Sequence, residues 1–209
     1  MKSAYIVIPS PFATEHRLVF YWPVIAWPKH GTDQTVVGPD LDRAVNRILA
    51  LHPEARGLIH SVSYPRSKLL MDSCDSSRLI SHGNEEGEFA NALSRLDETP
   101  GAVLVSPRAL EGVDLKGAAS EFQIFIKLPF QLWGDPRVQR RKETSRGWYD
   151  LMVAIAMVQG AGRSIRTATD IAPTYILDVA WSWWFKANRH LLPEYFRQAI
   201  RPMPPANVF

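Results

Sequence analysis

The sequence predicts a single α/β domain in which an open, mainly parallel β-sheet is covered by helices on both faces. Two observations lead to this fold class. Short apolar segments rich in β-branched residues alternate with segments of helical periodicity along most of the chain. The 209 residues, with 46% apolar and 22% charged side chains, suffice for one domain with a substantial core and contain no internal repeat or linker.

The segments predicted as strands are short and end at proline, glycine or a polar turn. They cover residues 4–8, 18–22, 57–64, 78–82, 102–106, 122–128 and 174–179. The second is expected to stop at Pro23, because proline cannot donate a hydrogen bond within a sheet. Residues 1–35 are therefore predicted to form an entry strand and loop region of a domain that spans residues 1–209.

The segments predicted as helices show apolar residues at three- and four-residue spacing. They cover residues 40–51, 67–74, 85–96, 181–188 and 193–200, together with a long apolar helix that begins near Trp148. Asp40 is predicted to be the N-cap of the first helix, because its side chain can accept from backbone N–H groups there. The proline-rich stretch 202–209 is expected to be a frayed tail.

Charge and cysteine content narrow the function classes. A net charge of +3 is only mildly basic and is compatible with a polyanionic partner. The single Cys74 leaves no disulfide and no cysteine-ligated zinc or iron–sulfur cluster within this sequence, and the six histidines lack the spacing of a metal site. With no signal peptide and no apolar run near the ~20 residues of a membrane span, we expect a soluble, cytoplasmic protein without a membrane partner.

Two arginines follow the long apolar helix in the pattern Q-x-x-G-R-x-x-R, from Gln159 to Arg166. If the helix continues through this pattern, Gln159, Arg163 and Arg166 leave from one face. An arginine offers a fork of donors that matches phosphate oxygens, which indicates an anionic ligand. Two arginines alone also fit a helix end that pairs with nearby carboxylates.

Polar residues collect where the predicted strands end. In an open parallel sheet ligands bind beyond the carboxyl ends of the strands. Ser63 and Tyr64 end one predicted strand, and Ser106 ends another. A loop after Ser106 contains Gly112, which permits a close backbone approach, and Asp114, which can accept from a ribose hydroxyl.

Five segments in order resemble the second motor lobe of DinG- and XPD-type helicases of superfamily 2. They are Ser10-Pro11-Phe12, residues 57–64 (motif IV), residues 103–117 with E-G-V-D-L-x-G (motif V), L-P-F at 128–130 followed by Asp135-Pro136, and residues 159–166 with Asp170 after them (motif VI). The resemblance covers nearly the whole chain and implies a RecA-like fold. The glycine that usually follows Asp170 is absent, which implies a different turn there.

The resemblance implies a role for each motif residue. Arg163 and Arg166 would act as arginine fingers on the γ-phosphate of ATP, and Gln159 would order them and the attacking water. The residues expected to sense the nucleotide are Glu111, Gly112, Asp114 and Gly162. The residues expected to contact phosphates of single-stranded DNA or another nucleic acid are Ser63, Tyr64, Ser81, His82 and Ser106.

The sequence contains no G-x-x-x-x-G-K-[ST] segment and no D-E-x-H-type motif. The resemblance therefore implies that ATP with Mg²⁺ is shared with a P-loop-containing first lobe on another chain or a missing segment. This chain alone is not expected to hydrolyse ATP. The alternative is a non-catalytic nucleic-acid-binding or regulatory module derived from such a lobe.

Two further features have both a structural and a functional interpretation. The basic stretch 136–146 fits a solvated helix face and a nucleic-acid backbone contact equally well. Trp181, Trp183, Trp184 and Phe185 could stack on bases, but packing in the core or an interface is the favoured interpretation.

Overall fold

The computed structural model describes residues 10–109 and 120–204. The strands of these residues are β1 (Val19–Ile25), β2 (Gly57–His60), β3 (Leu79–Ser81), β4 (Val103–Ser106), β5 (Phe122–Phe125), β6 (Thr174–Asp178) and β7 (Ile200–Pro202). Their helices are α1 (Gly38–Leu51), α2 (Tyr64–Ser73), α3 (Glu88–Glu98), α4 (Pro136–Thr144), α5 (Trp148–Ala161), α6 (Ala180–Asn188) and α7 (Glu194–Ala199). Short 3₁₀ turns cover Thr14–Arg17, Thr35–Val37, Gly162–Ser164 and Arg189–Leu191.

The seven strands form one sheet in the order β3-β4-β2-β5-β6-β1-β7, and every pair of neighbours is parallel. Successive side chains of a strand face opposite sides of a sheet. In β2, Ile59 accordingly packs into a core with α1 and α2, whereas Leu58 packs into a core with α3. Phe125 of β5 belongs to a third core that α5, α6 and α7 cover. The predicted α/β class, with helices on both faces of a parallel sheet, is confirmed.

The sheet extends further at its β1 edge than the sequence indicated. β1 continues through Pro23 to Ile25, with a register shift between Tyr21 and Ile25. Proline is tolerated there because β7 pairs with β1 only as far as Tyr21. Met203 N then donates to Tyr21 O at 3.0 Å, so the chain remains hydrogen-bonded to the sheet beyond Pro202.

Several element boundaries differ from their predicted positions. α1 begins at Gly38, and Asp40 lies in its first turn rather than at the N-cap. β2 ends at His60, so Tyr64 is not the end of a strand but the first residue of α2. Val62 lies between them with φ 68°, a left-handed conformation that turns the chain from the strand into the helix. The predicted strand 4–8 lies outside the described residues.

One arginine ties the amino-terminal edge of the sheet to α1. The Arg78 guanidinium donates to the carbonyl oxygens of Gly101 (2.7 Å), Leu49 (3.0 Å), His52 (2.7 Å) and Ala55 (2.7 Å). A single charged group thereby satisfies four acceptors from two segments of the chain, residues 49–55 and Gly101. Within the described ranges no helix has the length and apolar character needed to cross a membrane.

Candidate nucleotide and nucleic-acid site

The strand order creates a crevice at the carboxyl ends of β2 and β5. β2 leads into α2, which packs on one face of the sheet, whereas its neighbour β5 leads towards α5 on the other face. Loops that leave adjacent strands in opposite directions open a space between them, which is where ligands bind in open α/β sheets. A cleft of about 1000 Å³ lies at this point and is lined by residues that follow both strands. We call it the switch-point cleft.

The wall that follows β2 carries a serine and an arginine. Arg66 in the first turn of α2 donates from Nη1 to Ser63 Oγ at 3.0 Å, and both residues line the switch-point cleft. The Arg66 guanidinium lies over the ring of Trp27, 4.9 Å from its centroid. Burial lowers the pKa of Arg66, and the Asp178 carboxylate opposes that change. The side chain nevertheless stays charged at neutral pH, because arginine titrates far above it.

The wall that follows β5 carries a lysine. Lys127 Nζ lies 4.0 Å from Asp178 Oδ2, at the limit of an ion pair. Asp178 also accepts from Leu128 N (2.9 Å) and Ala180 N (3.0 Å). Burial lowers the pKa of Lys127 and raises that of Asp178, so desolvation outweighs their mutual attraction at both groups. Burial deprives the charged Lys127 side chain of water, and an anion bound in the cleft would offset part of that desolvation cost.

The charge in the switch-point cleft is positive. Among the described residues that line it, the charged side chains are Arg66 and Lys127, and no carboxylate lines it. Gln159 of α5 is exposed and lines the same cleft as Ser63. The structure therefore brings together one residue expected from motif IV and one from motif VI.

The arginines of motif VI do not share a helical face with Gln159, so this part of the prediction is wrong. α5 ends at Ala161, and Arg163 lies in the 3₁₀ turn Gly162–Ser164. The helix stops where two glycines stand two residues apart, because glycine costs backbone entropy in a helix. Arg163 is half-buried and Arg166, beyond the turn, is exposed.

Asp170 orders the segment that carries Arg166. Its Oδ2 accepts from Arg166 N and Thr167 N, each at 2.7 Å, and its Oδ1 accepts from Thr167 Oγ1 at 2.8 Å. The backbone hydrogen bonds from Arg166 and Thr167 lower the pKa of this carboxyl. The Asp170 carboxylate thereby stabilises the turn that follows Arg166.

A buried hydrogen-bond chain joins β2 to the end of α5. His60 Nε2 lies 2.9 Å from Gln123 Oε1, and Gln123 Nε2 donates to Ala161 O at 3.0 Å. His60 and Gln123 are both fully buried, and the imidazole stacks on Phe125 with centroids 4.2 Å apart. Burial lowers the pKa of His60 to about 4, the Gln123 hydrogen bond opposes this, and the charge of Arg163 adds to it.

Four of the expected phosphate contacts, Tyr64, Ser81, His82 and Ser106, form a separate group at the ends of β2, β3 and β4. His82 Nε2 lies 2.8 Å from Ser106 Oγ, and Ser106 Oγ also accepts from Arg108 N at 3.1 Å. The ring of Tyr64 meets that of His82 edge-on at 5.7 Å. His82 and Ser106 are buried against each other, and Ser81 ends β3 beside them. Their position at the carboxyl edge agrees with the expectation, and their contact with a phosphate stays a prediction.

Of the residues expected to bind the nucleotide, the structure describes only Gly162. Gly162 lines a different, mainly apolar pocket of about 370 Å³ with Phe12, Arg17 and Tyr195. Glu111, Gly112 and Asp114 lie outside the described residues.

Sequence reasoning missed the two cations of the switch-point cleft. Arg66 stands two residues after Tyr64, and Lys127 stands near the end of the predicted strand 122–128. The available signal was that each basic residue follows the carboxyl end of a buried strand. That signal is weak without the strand order, because only the order makes β2 and β5 neighbours.

Of the two ambiguous features, the structure settles the packing of Trp181 and Trp184, whereas a contact of the basic stretch with nucleic acid stays a prediction. The basic stretch forms α4, and two of its cations make surface pairs: Arg137 with Asp135 at 3.0 Å and Arg140 with Glu143 at 3.7 Å. Trp181 and Trp184 are buried in the core, as expected. Trp183 is 58% exposed, because α6 turns it away from the sheet.

Comparison with known proteins agrees with this fold. The helicase C-terminal domain family matches residues 46–199. Among solved structures, the chain is similar to Xpd4 of S. tokodaii (TM-score 0.65, 17% identity, covering 97% of this chain and 41% of that chain). It is also similar to a structure described as apo XPD (0.60, 13%, 90% and 40%) and one described as XPD helicase (0.61, 13%, 88% and 35%).

The chain thus spans about two fifths of the length of these solved structures, or less. A search of curated proteins found no match. The family match covers well over half of the 209 residues, and the solved structures are similar in fold. The chain belongs to the helicase C-terminal domain family, and its fold is that of a RecA-like lobe of the XPD type.

Proposed function

We propose that this chain is the second motor lobe of an ATP-dependent helicase and that it contacts single-stranded nucleic acid in the switch-point cleft. The observation that carries the proposal is the meeting of Ser63 and Gln159 in one cation-lined cleft. Sequence-independent binding of a strand needs cations and hydroxyl or amide groups that reach phosphate oxygens. Ser63, Arg66 and Lys127 supply them.

The nucleotide would lie between this lobe and a P-loop-bearing lobe, on the same or another polypeptide. Arg163 and Arg166 would stabilise the charge that develops on the transferred phosphoryl group, which is the role of arginine fingers. Gln159 would position the attacking water, while Gly162 and the segment with Glu111, Gly112 and Asp114 would respond to the nucleotide.

Mg²⁺ would be bound by the other lobe and the nucleotide phosphates. Within residues 10–109 and 120–204 there is no group of three acidic, histidine or cysteine side chains that could hold a metal ion. Two arginines fit the anionic end of a nucleotide, and when bound, the ion would neutralise phosphate charge on the opposite side.

The hydrolysis rate tests this proposal. In a motor reconstituted with a P-loop-bearing lobe, Arg163→Ala and Arg166→Ala should each lower the turnover number by about a thousandfold or more, as loss of an arginine finger does. Lysine should rescue poorly, because it lacks the bidentate fork. Arg43→Ala is the control, since Arg43 is exposed and pairs with Asp40 on α1.

Two results would contradict the proposal. If Arg163→Ala and Arg166→Ala both retain the wild-type turnover, the alternative is favoured, which is a non-catalytic nucleic-acid-binding or regulatory module. Strand-stimulated hydrolysis by the 209-residue chain alone would contradict the need for a P-loop on the other lobe.

A further inference from the structure

The turn that carries Arg163 is tied to β5 on both sides. Gln123 Nε2 donates to Ala161 O at 3.0 Å, and Ala161 is the last residue of α5. Just beyond Arg163, Ser164 Oγ donates to Ser120 Oγ at 2.8 Å. Gln123 lies within β5, and Ser120 stands two residues before the strand. We call these two side chains the β5 clamp, because they hold the turn before and after Arg163.

The Ser120 hydroxyl is itself held by the backbone of β5. It is buried and donates to Phe122 O at 3.0 Å. Since a hydroxyl has one proton, Ser120 Oγ can only accept from Ser164, and the Ser164 hydroxyl is the donor. The bond from Ser164 therefore positions the turn relative to an anchored point of the sheet.

Gln123 is a polar side chain at a position where packing alone would favour an apolar one. It is fully buried, on the face of the sheet that α5 covers. A buried amide without partners destabilises a fold. Here both ends of the amide are bonded, because Oε1 lies 2.9 Å from His60 Nε2 and Nε2 donates to Ala161 O. Gln123 thereby bridges β2 and the end of α5.

The backbone beside Arg163 has little else to hold it. Gly160 and Gly162 lie on either side of Ala161, and a Cβ added at Gly162 would meet nothing within 4 Å. A backbone with two glycines and open space around it has several conformations available. The need to satisfy a buried carbonyl accounts for the Gln123 bond. It does not account for the bond from Ser164, whose half-buried hydroxyl could bond to water instead.

We propose that Ser120 and Gln123 are positioning residues for Arg163, which hold the turn so that the guanidinium is in place before the nucleotide arrives. An arginine stabilises a transition state best when its position does not have to be reorganised during the reaction. Both residues lie between motif V and the L-P-F element, outside every motif segment. The inference rests on the proposed function, because it acts through the role proposed for Arg163.

The motor reconstituted with a P-loop-bearing lobe tests the clamp through Ser164, whose hydroxyl can be removed without opening the core. Ser164→Ala breaks one tie and should lower the turnover number on the order of tenfold. The KM for ATP should change by less than about twofold, because the displaced group acts in the transition state. Ser164→Thr keeps the hydroxyl and should retain most of the turnover. Ser182→Ala, which removes an exposed serine hydroxyl of α6, is the matched control.

A double-mutant cycle shows whether the clamp acts through Arg163. In the Arg163→Ala background, Ser164→Ala should have no further effect on turnover, because the group that the clamp positions is already absent. Gln123→Met keeps the length of the side chain and removes the amide, and it should behave in the same way. If Gln123→Met folds poorly, the Ser164 variants still decide.

The 209-residue chain provides a second readout that does not depend on the other lobe. Ile165 N donates to Gly162 O at 3.4 Å, so this amide is protected while the turn is formed. Ser164→Ala should speed hydrogen exchange of the Ile165 amide on the order of tenfold and leave the amides of β5 unchanged. Ser164→Thr should exchange like the wild type.

The outcomes separate this inference from the proposed function. Wild-type turnover in Ser164→Ala and Gln123→Met, beside a large loss in Arg163→Ala, would overturn the clamp and leave the role of the arginine intact. Additive losses in the double mutant, or unchanged exchange at Ile165 in Ser164→Ala, would also overturn it. Wild-type turnover in Arg163→Ala would contradict the proposed function itself, and the positioning role with it.

Discussion

His60 makes stability depend on pH in a way that the structure specifies. Gln123 Nε2 donates to Ala161 O, so Gln123 Oε1 faces His60 and the imidazole Nε2 must carry the proton. The other ring nitrogen, Nδ1, is buried and has no hydrogen-bond partner among the described residues. A second proton at Nδ1 would therefore place an unpaired charge inside the sheet, which the fold resists.

The size of the effect follows from the two pKa values of His60. The pKa of a histidine in the unfolded chain is 6.5, and that of His60 in the folded chain is about 4. The unfolded chain binds the proton first, so the free energy of unfolding decreases as pH falls from about 6.5 to about 4 and is unaffected above that window. At 1.36 kcal/mol for each pKa unit, the full loss is about 3 kcal/mol.

The variant His60→Gln isolates this contribution. Glutamine retains an amide that can donate to Gln123 and does not titrate, although it loses the stacking on Phe125. The variant should be less stable than the wild type at about pH 7, and the difference should shrink by roughly 2 kcal/mol at about pH 4.5. Carboxylates and His52, whose pKa burial also lowers, are common to both proteins and cancel.

Urea unfolding of both proteins across this pH range provides the measurement. The reasoning is refuted if the two stability curves stay parallel from neutral pH to pH 4.5, because His60 would then titrate alike in the folded and unfolded chains.

Two further substitutions test the packing, each by urea unfolding beside a matched control. Gly57→Ala would place a Cβ 2.3 Å from Cζ of the fully buried Phe122 and should lower the free energy of unfolding by about 1–3 kcal/mol. Its control is Gly134→Ala, which has open space around it and should change the free energy of unfolding by less than about 0.5 kcal/mol. Arg78→Leu removes the donors of four carbonyl groups and should cost on the order of 3 kcal/mol, while Arg43→Leu on the surface should cost less than about 1 kcal/mol. Equal effects within either pair would contradict the packing described.

The sequence was sufficient to predict those strands and helices that local residue patterns determine. Buried strands such as β2 and β4 are continuous apolar runs, and their alternation with amphipathic helices specifies a parallel sheet. The motif order added the RecA-like class. The strand order itself is set by packing between distant segments, so the place of β7 beside β1 could not be predicted from its three residues.

The candidate site was predictable only in part for the same reason. Motif residues such as Ser63, just before α2, and Gln159, on α5, were identified because the order of the motifs along the chain is diagnostic. The pairing of Arg66 with Lys127 depends on β2 and β5 being neighbours, which no local pattern shows. The end of α5 was also not predicted. The sequence pattern remains compatible with a helix through Gly160 and Gly162, whereas the chain leaves the helix there.

The most direct test of the switch-point cleft compares two charge deletions on α2. Arg66→Ala removes a cation that lines the cleft, and Lys68→Ala removes one that is exposed and pairs with Asp72. Each variant loses one positive charge, so both attract a distant polyanion equally. Affinity for a short single-stranded oligonucleotide is measured for both variants and the wild type between about 50 and 200 mM salt.

We expect Arg66→Ala to weaken binding on the order of tenfold. It should also reduce the slope of log affinity against log salt by about 0.7 to 0.9, the amount that corresponds to one lost phosphate contact. The affinity and slope of Lys68→Ala should stay close to those of the wild type. Identical affinities and salt slopes for the two variants would contradict the placement of the strand in the switch-point cleft.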